Sequence, residues 1–170
     1  MFKLLSRSVK LRLSPVRMLE TPHVAVGAAI ATKIPNPLIS IPLAFCSHFI
    51  LEMIPHWNPH LNTEIKKNGK LSNKTLKVIS LDVFLSIFVG GFFAYRALPN
   101  TTHAITILLA SFASVVPDLI EGPYFLLGIR SKITDNWLKI QKAIQNDTNI
   151  YYGLLTQGAT VLAAFWWTLL

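Results

Sequence analysis

The stretch VISLDVFLSIFVGGFFAY, Val78–Tyr95, decides the fold. Asp82 is its one charged residue, and its length is close to the ~20 residues that an α-helix needs to cross a hydrocarbon layer. Apolar residues follow one another without strict alternation, so the period of a half-buried strand is absent. Backbone N–H and C=O groups placed in lipid must be paired within the segment, which leaves the helix as the form this stretch takes. Thr102–Leu119 repeats the pattern, and so does Ile150–Leu170, which carries no charge at all. The fold class these stretches predict is all-α, a polytopic helical bundle in a lipid bilayer.

Composition points the same way. Of 170 residues, 52% are hydrophobic and 14% charged, a balance outside the ordinary soluble range, and the length suits one domain. The formal net charge of +8 would suit a nucleic-acid binder. The Lys and Arg residues stand in gaps between apolar stretches, however, and read as topology signals and lipid headgroup contacts, with no nucleic acid as partner. Cys46 is the single cysteine, which excludes an internal disulfide framework and a CxxC metal knuckle. No Walker loop, dinucleotide fingerprint or GxSxG elbow occurs.

Residues 1–20 read as a basic N-terminal tail, with Lys3, Arg7, Lys10, Arg12 and Arg17 ahead of any acid. It is a cytoplasmic tail, a targeting segment, or a non-native start ahead of an initiator at Met18. Residues 21–170 form a single membrane domain. Within it, His23–Thr32 and Leu38–Ile54 flank Lys33-Ile-Pro-Asn-Pro37, and two prolines rule out one straight helix there, predicting a helical hairpin. The first arm is too short to cross unless tilted, re-entrant or packed inside the bundle, and Gly27-Ala-Ala would permit close packing. Basic residues then alternate with poor turns. The His56–Lys77 loop holds Lys66, Lys67, Lys70, Lys74 and Lys77, and the Gly122–Asn149 loop holds Arg130, Lys132, Lys139 and Lys142, whereas the turns between carry only Lys33 and Arg96. About five crossings follow, with the N-terminus and both long loops cytoplasmic and the C-terminus outside.

On that topology His23, His48, Glu52, His56, Asp82, Asp118 and Glu121 all fall at the cytoplasmic ends of the helices, although Lys and Arg alone set the topology. His48 and Glu52 are four apart on one helical face, and His56 would continue it if the helix survived Pro55. Imidazole with carboxylate suits Zn²⁺, Mn²⁺ or Fe²⁺ better than Mg²⁺ or Ca²⁺, and coordination would offset the cost of carboxylates in lipid. Blander readings stand beside this one. His48 and Glu52 can be a hydrogen-bonded pair bracing the bundle, His23 a helix-start residue near Thr21, Asp82 a helix cap, and Asp118 and Glu121 a hydrated helix end. His60 and Trp57 read as interfacial, His103 lies at the opposite side, and Trp137 among Lys132, Lys139 and Lys142 fits either an amphipathic segment on anionic lipid or a solvated loop.

Thr21-Pro-His23, Ser47-His48-Phe-Ile-Leu-Glu52-Met-Ile-Pro-His56-Trp57, the intrahelical Asp82 and Pro117-Asp118 resemble a group of small uncharacterised bacterial polytopic membrane proteins. More distantly they are similar to inner-membrane metal-dependent hydrolases related to zinc-dependent phospholipase C. The resemblance spans residues 21–124. It implies that His23, His48, Glu52, Asp82 and Asp118 are metal ligands, with His56 a ligand or proton donor, in a bacterial inner membrane. Glu52 stands where the group carries Asp, and the hydrolases' His-Arg-Gly-x-Thr-His-Ser segment is not found.

The function expected is a membrane-embedded hydrolase dependent on a divalent transition metal, Zn foremost, with Mn or Fe as alternatives. It would cleave a phosphoester, a lipid headgroup among the candidates, through a metal-activated water, with His56 or Glu52 as base. The alternative is a non-catalytic membrane protein whose His/acid cluster serves structure or assembly. A metal or proton transporter is disfavoured because the outer halves hold little polar beyond Ser86, Thr106 and Gln157.

Overall fold

The computed structural model describes residues 18–57, 59, 61–123 and 131–170. The basic tail through Arg17, His60, Arg130 and the Lys66 side chain lie outside the described residues, so the readings made of them find no counterpart here.

Among the described residues the chain forms seven helices and no strand: α1 (Glu20–Lys33), α2 (Pro37–Glu52), α3 (Leu61–Asn68), α4 (Asn73–Arg96), α5 (Thr101–Leu119), α6 (Lys132–Ile144) and α7 (Ile150–Leu169). Short polar side chains start most of them by accepting orphan N–H groups of the first turn. Asn36 takes the Leu38 N–H at 3.0 Å, Ser72 the Thr75 N–H at 3.3 Å and Asn100 the His103 N–H at 3.0 Å. Ser131 and Thr134 form a reciprocal capping box on α6. Helix α3 ends at Gly69, whose φ of 71° only glycine adopts cheaply.

The hairpin forms as expected, with Ile34, Pro35 and Asn36 between α1 and α2. Helix α4 begins at Asn73, ahead of the predicted Val78, because Ser72 caps it. Asp82 therefore stands ten residues into the helix rather than one turn in. His103, set aside in the sequence, ties the start of α5 to the end of α1 through Nε2 and the Ala31 carbonyl, 2.9 Å apart.

Helix α1 sits at the centre, packed on α2, α4, α5 and α7. Of the three ways to place a helix of only 14 residues, the structure takes the third and packs it inside. Ala25, Ala28, Ala29 and Ala31 on α1 are wholly buried, with Ala44, Ala104 and Ala110 around them. A Cβ on Gly27 would come within 2.9 Å of the Ala110 carbonyl and the Ser114 side chain, so glycine sets the α1–α5 approach. Large side chains point outward instead: Leu38 on α2, Ile87 and Phe88 on α4, Phe112 on α5, and Leu162 and Trp166 on α7 are all exposed.

Two helices, α4 and α5, are long and apolar enough to cross a membrane. Helix α7 has 20 residues, but Tyr151, Tyr152, Gln157, Trp166 and Trp167 dilute its apolar character, and α2 is shorter at 16. By length and composition the described residues thus offer two spans where five were expected.

Candidate metal centre

Four of the seven helix-end residues of the sequence reading come from three helices to one point. His23 lies in the first turns of α1, His48 and Glu52 in the last turns of α2, and Asp118 at the end of α5. One potential ligand atom from each lies within 4.8 Å of the others, and all four side chains are buried. This His23–His48–Glu52–Asp118 group could hold a metal ion.

Backbone carbonyls orient two of the imidazoles. His48 Nδ1 lies 2.9 Å from the Ser114 carbonyl and His56 Nδ1 lies 2.8 Å from the Ile54 carbonyl. A carbonyl can only accept, so each Nδ1 carries the proton and each Nε2 presents its lone pair, the arrangement that metal-binding histidines use. His48 Nε2 is 3.6 Å from Asp118 Oδ1. His23 Nε2 is 3.3 Å from Glu52 Oε1 yet forms no hydrogen bond with it, because the geometry is not that of a donor aimed at an acceptor. The His23 and His48 rings stack with centroids 4.2 Å apart. A buried polar atom without a partner costs roughly 1–3 kcal/mol; His23 Nε2 and Glu52 Oε2 are two such atoms in one small volume.

His56 joins the periphery rather than the group of four. Its Nε2 lies 3.7 Å from Glu52 Oε2 and the side chain is fully buried. The helix does not survive Pro55, so the predicted continuous face breaks after Glu52. A bridge to the other long loop holds His56 instead: its N–H donates to the Asn146 carbonyl and its carbonyl accepts from Thr148, both at 3.0 Å. Helix α7 seats closely against this segment because Gly153 has no Cβ to strike the His56–Trp57 backbone. Gln157 then spans the Trp57 carbonyl (2.7 Å) and the Leu19 N–H (3.0 Å).

Asp82, expected as a ligand, is placed elsewhere. Its carboxylate accepts the Glu20 N–H at 2.7 Å, the Thr21 N–H at 3.1 Å and the Thr21 hydroxyl at 2.6 Å. Leu19, at the N-cap of α1, has no side-chain oxygen to offer, and Asp82 supplies the missing cap from α4. The cap was foreseen for its own helix; the structure sets it on another. It thereby fixes the turn that carries His23.

Gln141 is the residue that sequence reasoning missed. Buried on the inner face of α6, its Nε2 lies 3.3 Å from His48 Nε2 and 3.4 Å from Asp118 Oδ1. The amphipathic pattern around Trp137 was visible. Nothing in a glutamine four residues on said that it would reach across 93 positions to His48. Trp137 docks the helix, giving its Nε1–H to the Pro117 carbonyl at 3.0 Å and its ring to Phe49.

Beside Asp118 lies a cavity of about 310 Å³, walled largely by apolar side chains such as Leu61, Ile65, Leu71 and Leu119, with Asp82 also in its wall. No known protein family, curated protein or solved structure matches the chain.

Proposed function

We propose that this protein is a membrane-embedded hydrolase in which His23, His48, Glu52 and Asp118 hold a divalent transition metal and the substrate is an amphiphilic phosphoester. The observation that carries the reading is the convergence of four buried donors within 4.8 Å, with the His48 lone pair turned to the site by the Ser114 carbonyl. Two imidazoles and two carboxylates match the donor preference of Zn²⁺, with Mn²⁺ and Fe²⁺ next. When bound, the metal supplies Lewis-acid activation of water and of the scissile ester. His56, with Nδ1–H committed to Ile54 and Nε2 facing Glu52, is the group suited to take the proton.

The membrane setting rests on two features. Helices α4 and α5 are long and apolar enough to span, and the large apolar side chains of α2, α4, α5 and α7 point outward from an alanine interior. Water would not tolerate that much exposed apolar surface, whereas small residues at helix contacts are what lipid-embedded bundles use. We take α2 and α7 as further crossings around the central α1, giving the five of the sequence reading, with the basic loops and the metal group at the cytoplasmic face. A bacterial inner membrane is the setting that the family resemblance implies.

The full burial of the four side chains also favours a closed structural metal site, the rival reading. Elemental analysis by mass spectrometry on purified protein, never exposed to chelator, tests the shared premise. Near-stoichiometric metal in wild type, lost in Glu52→Gln, supports it; metal-free wild type removes it. Cleavage of phosphoester lipids that depends on metal and on His56 separates the hydrolase from the closed site, which would hold metal and cleave nothing.

A further inference from the structure

Helix α6, KITDNWLKIQKAI, carries three rows of side chains, each turned about 100° from the next around the helix. Thr134 and Gln141 form the first row, Ile133 and Ile140 the second, Lys132 and Lys139 the third. Contacts fix the first. Gln141 is buried against His48 and Asp118, and Trp137 beside it is held by the Pro117 carbonyl and the Phe49 ring, so this face sits on the ends of α2 and α5. The lysine row is then turned almost directly away from the bundle, and the isoleucine row points sideways from it.

That sideways row is uncovered, with Ile133 79% exposed and Ile140 54%. A scattered surface isoleucine needs no explanation. Two aligned along one edge, beside a row of exposed lysines, give the cross-section of a helix lying in a bilayer interface. At the helix ends on which α6 rests, Ile50, Met53 and Leu119 are exposed as well, so the outward apolar surface of the bundle reaches the level of α6. Charge selects the partner. The helix has three lysines against the single Asp135, and long lysine stems let the ammonium groups reach phosphate oxygens while neighbouring apolar residues sink. A second copy of this chain, with its own net charge of +8, would bring like charge against that edge, which disfavours the contact.

We propose that α6 is an interfacial helix docked on the anionic surface of the surrounding leaflet, with Ile133 and Ile140 sunk at the edge of the acyl region and Lys132 and Lys139 among the headgroups. The inference takes the lipid-bound one of the two readings that the sequence left open for this segment. It rests on the membrane setting proposed above and is independent of the metal and of any chemistry there.

The test uses the full chain in nanodiscs of phosphatidylcholine and phosphatidylglycerol, with one small fluorophore on a cysteine introduced into a Cys46→Ser background. A nitroxide near the top of one acyl chain is carried by phosphatidylglycerol in one preparation and by phosphatidylcholine in the other, at equal share. Fluorophores at Ile133→Cys and Ile140→Cys should be quenched, with an enrichment of about fivefold for the anionic lipid, since a lysine near an anionic surface contributes ~1 kcal/mol. Asp135→Cys, on the other edge of α6, should stay bright in both. Adding Lys132→Gln and Lys139→Gln should bring the two lipids to parity. Bright labels at Ile133 and Ile140 that aqueous iodide reaches would place the edge in water, and bright labels shielded from iodide would place it against protein; either overturns the proposal. Equal quenching by both lipids with the lysines intact would remove the anionic partner and overturn it too. Leu81→Cys, on the exposed face of α4, keeps the two readings apart. Leu81 quenched with Ile140 bright sinks the α6 inference alone, and Leu81 bright with Ile140 quenched sinks the spanning reading alone.

Discussion

Asp82 and Glu52 are both buried carboxylates on apolar helices, yet their surroundings give them different work. Asp82 spends its oxygens on the Glu20 and Thr21 N–H groups and the Thr21 hydroxyl. Glu52 accepts the Met18 N–H on Oε1 at 3.1 Å and keeps Oε2 without a hydrogen bond. Asp82→Ala should therefore lower stability by on the order of 2–3 kcal/mol, as loss of charged hydrogen bonds does, while the folded fraction retains its metal. Glu52→Gln, equal in size, should abolish metal retention at little cost to helix packing. Thermal unfolding followed by tryptophan fluorescence, with elemental analysis of the folded fraction, checks both; metal lost in Asp82→Ala with the fold intact would return that residue to the ligand set.

Helices α6 and α7 act on the site from outside it. Gln141, delivered by α6, donates from Nε2 toward His48 Nε2 and Asp118 Oδ1, the ligand atoms a metal would take, so its amide competes with an ion for them. Gln141→Leu should therefore strengthen metal retention in a chelator competition, with the helix still docked through Trp137; weaker retention would show that the amide supports the bound state instead. On α7, Gly153→Ala would drive a Cβ into the Trp57 and His56 backbone. Backbone cannot rotate away as a side chain can, so the change should cost at least ~3 kcal/mol, the upper range for overpacking, and displace His56. Unfolding temperature measures the first effect, and loss of any His56-dependent hydrolysis measures the second.

For the molecule as a whole, the interior is built mainly of alanine, with Phe93, Ile107 and Leu51 among the larger side chains inside, while most other large apolar side chains are exposed; the membrane setting proposed above rests on that outward apolar surface. Single-cysteine variants on a Cys46→Ser background report the orientation. Lys70→Cys should react with an impermeant thiol reagent from the cytoplasmic side, and Thr101→Cys, beyond the far end of α4, from the opposite side; reaction of both from one side would deny that α4 crosses. The apolar helices α1, α2, α4, α5 and α7, the Pro35–Pro37 hairpin turn and the grouping of His23, His48, Glu52 and Asp118 at one set of helix ends were legible from the sequence by itself, because hydropathy runs and proline sterics are local properties read along the chain; α3 fell in a stretch read as a loop, and α6 in one left open between an amphipathic segment and a loop. Tertiary structure alone decided that α1 is the buried core, that Asp82 caps a helix other than its own, that His56 is held by residues 146–148, and that Gln141 completes the polar group. Each of these depends on which helices meet, and hydrogen bonds between residues 60 to 100 positions apart leave no periodic trace in the chain that makes them.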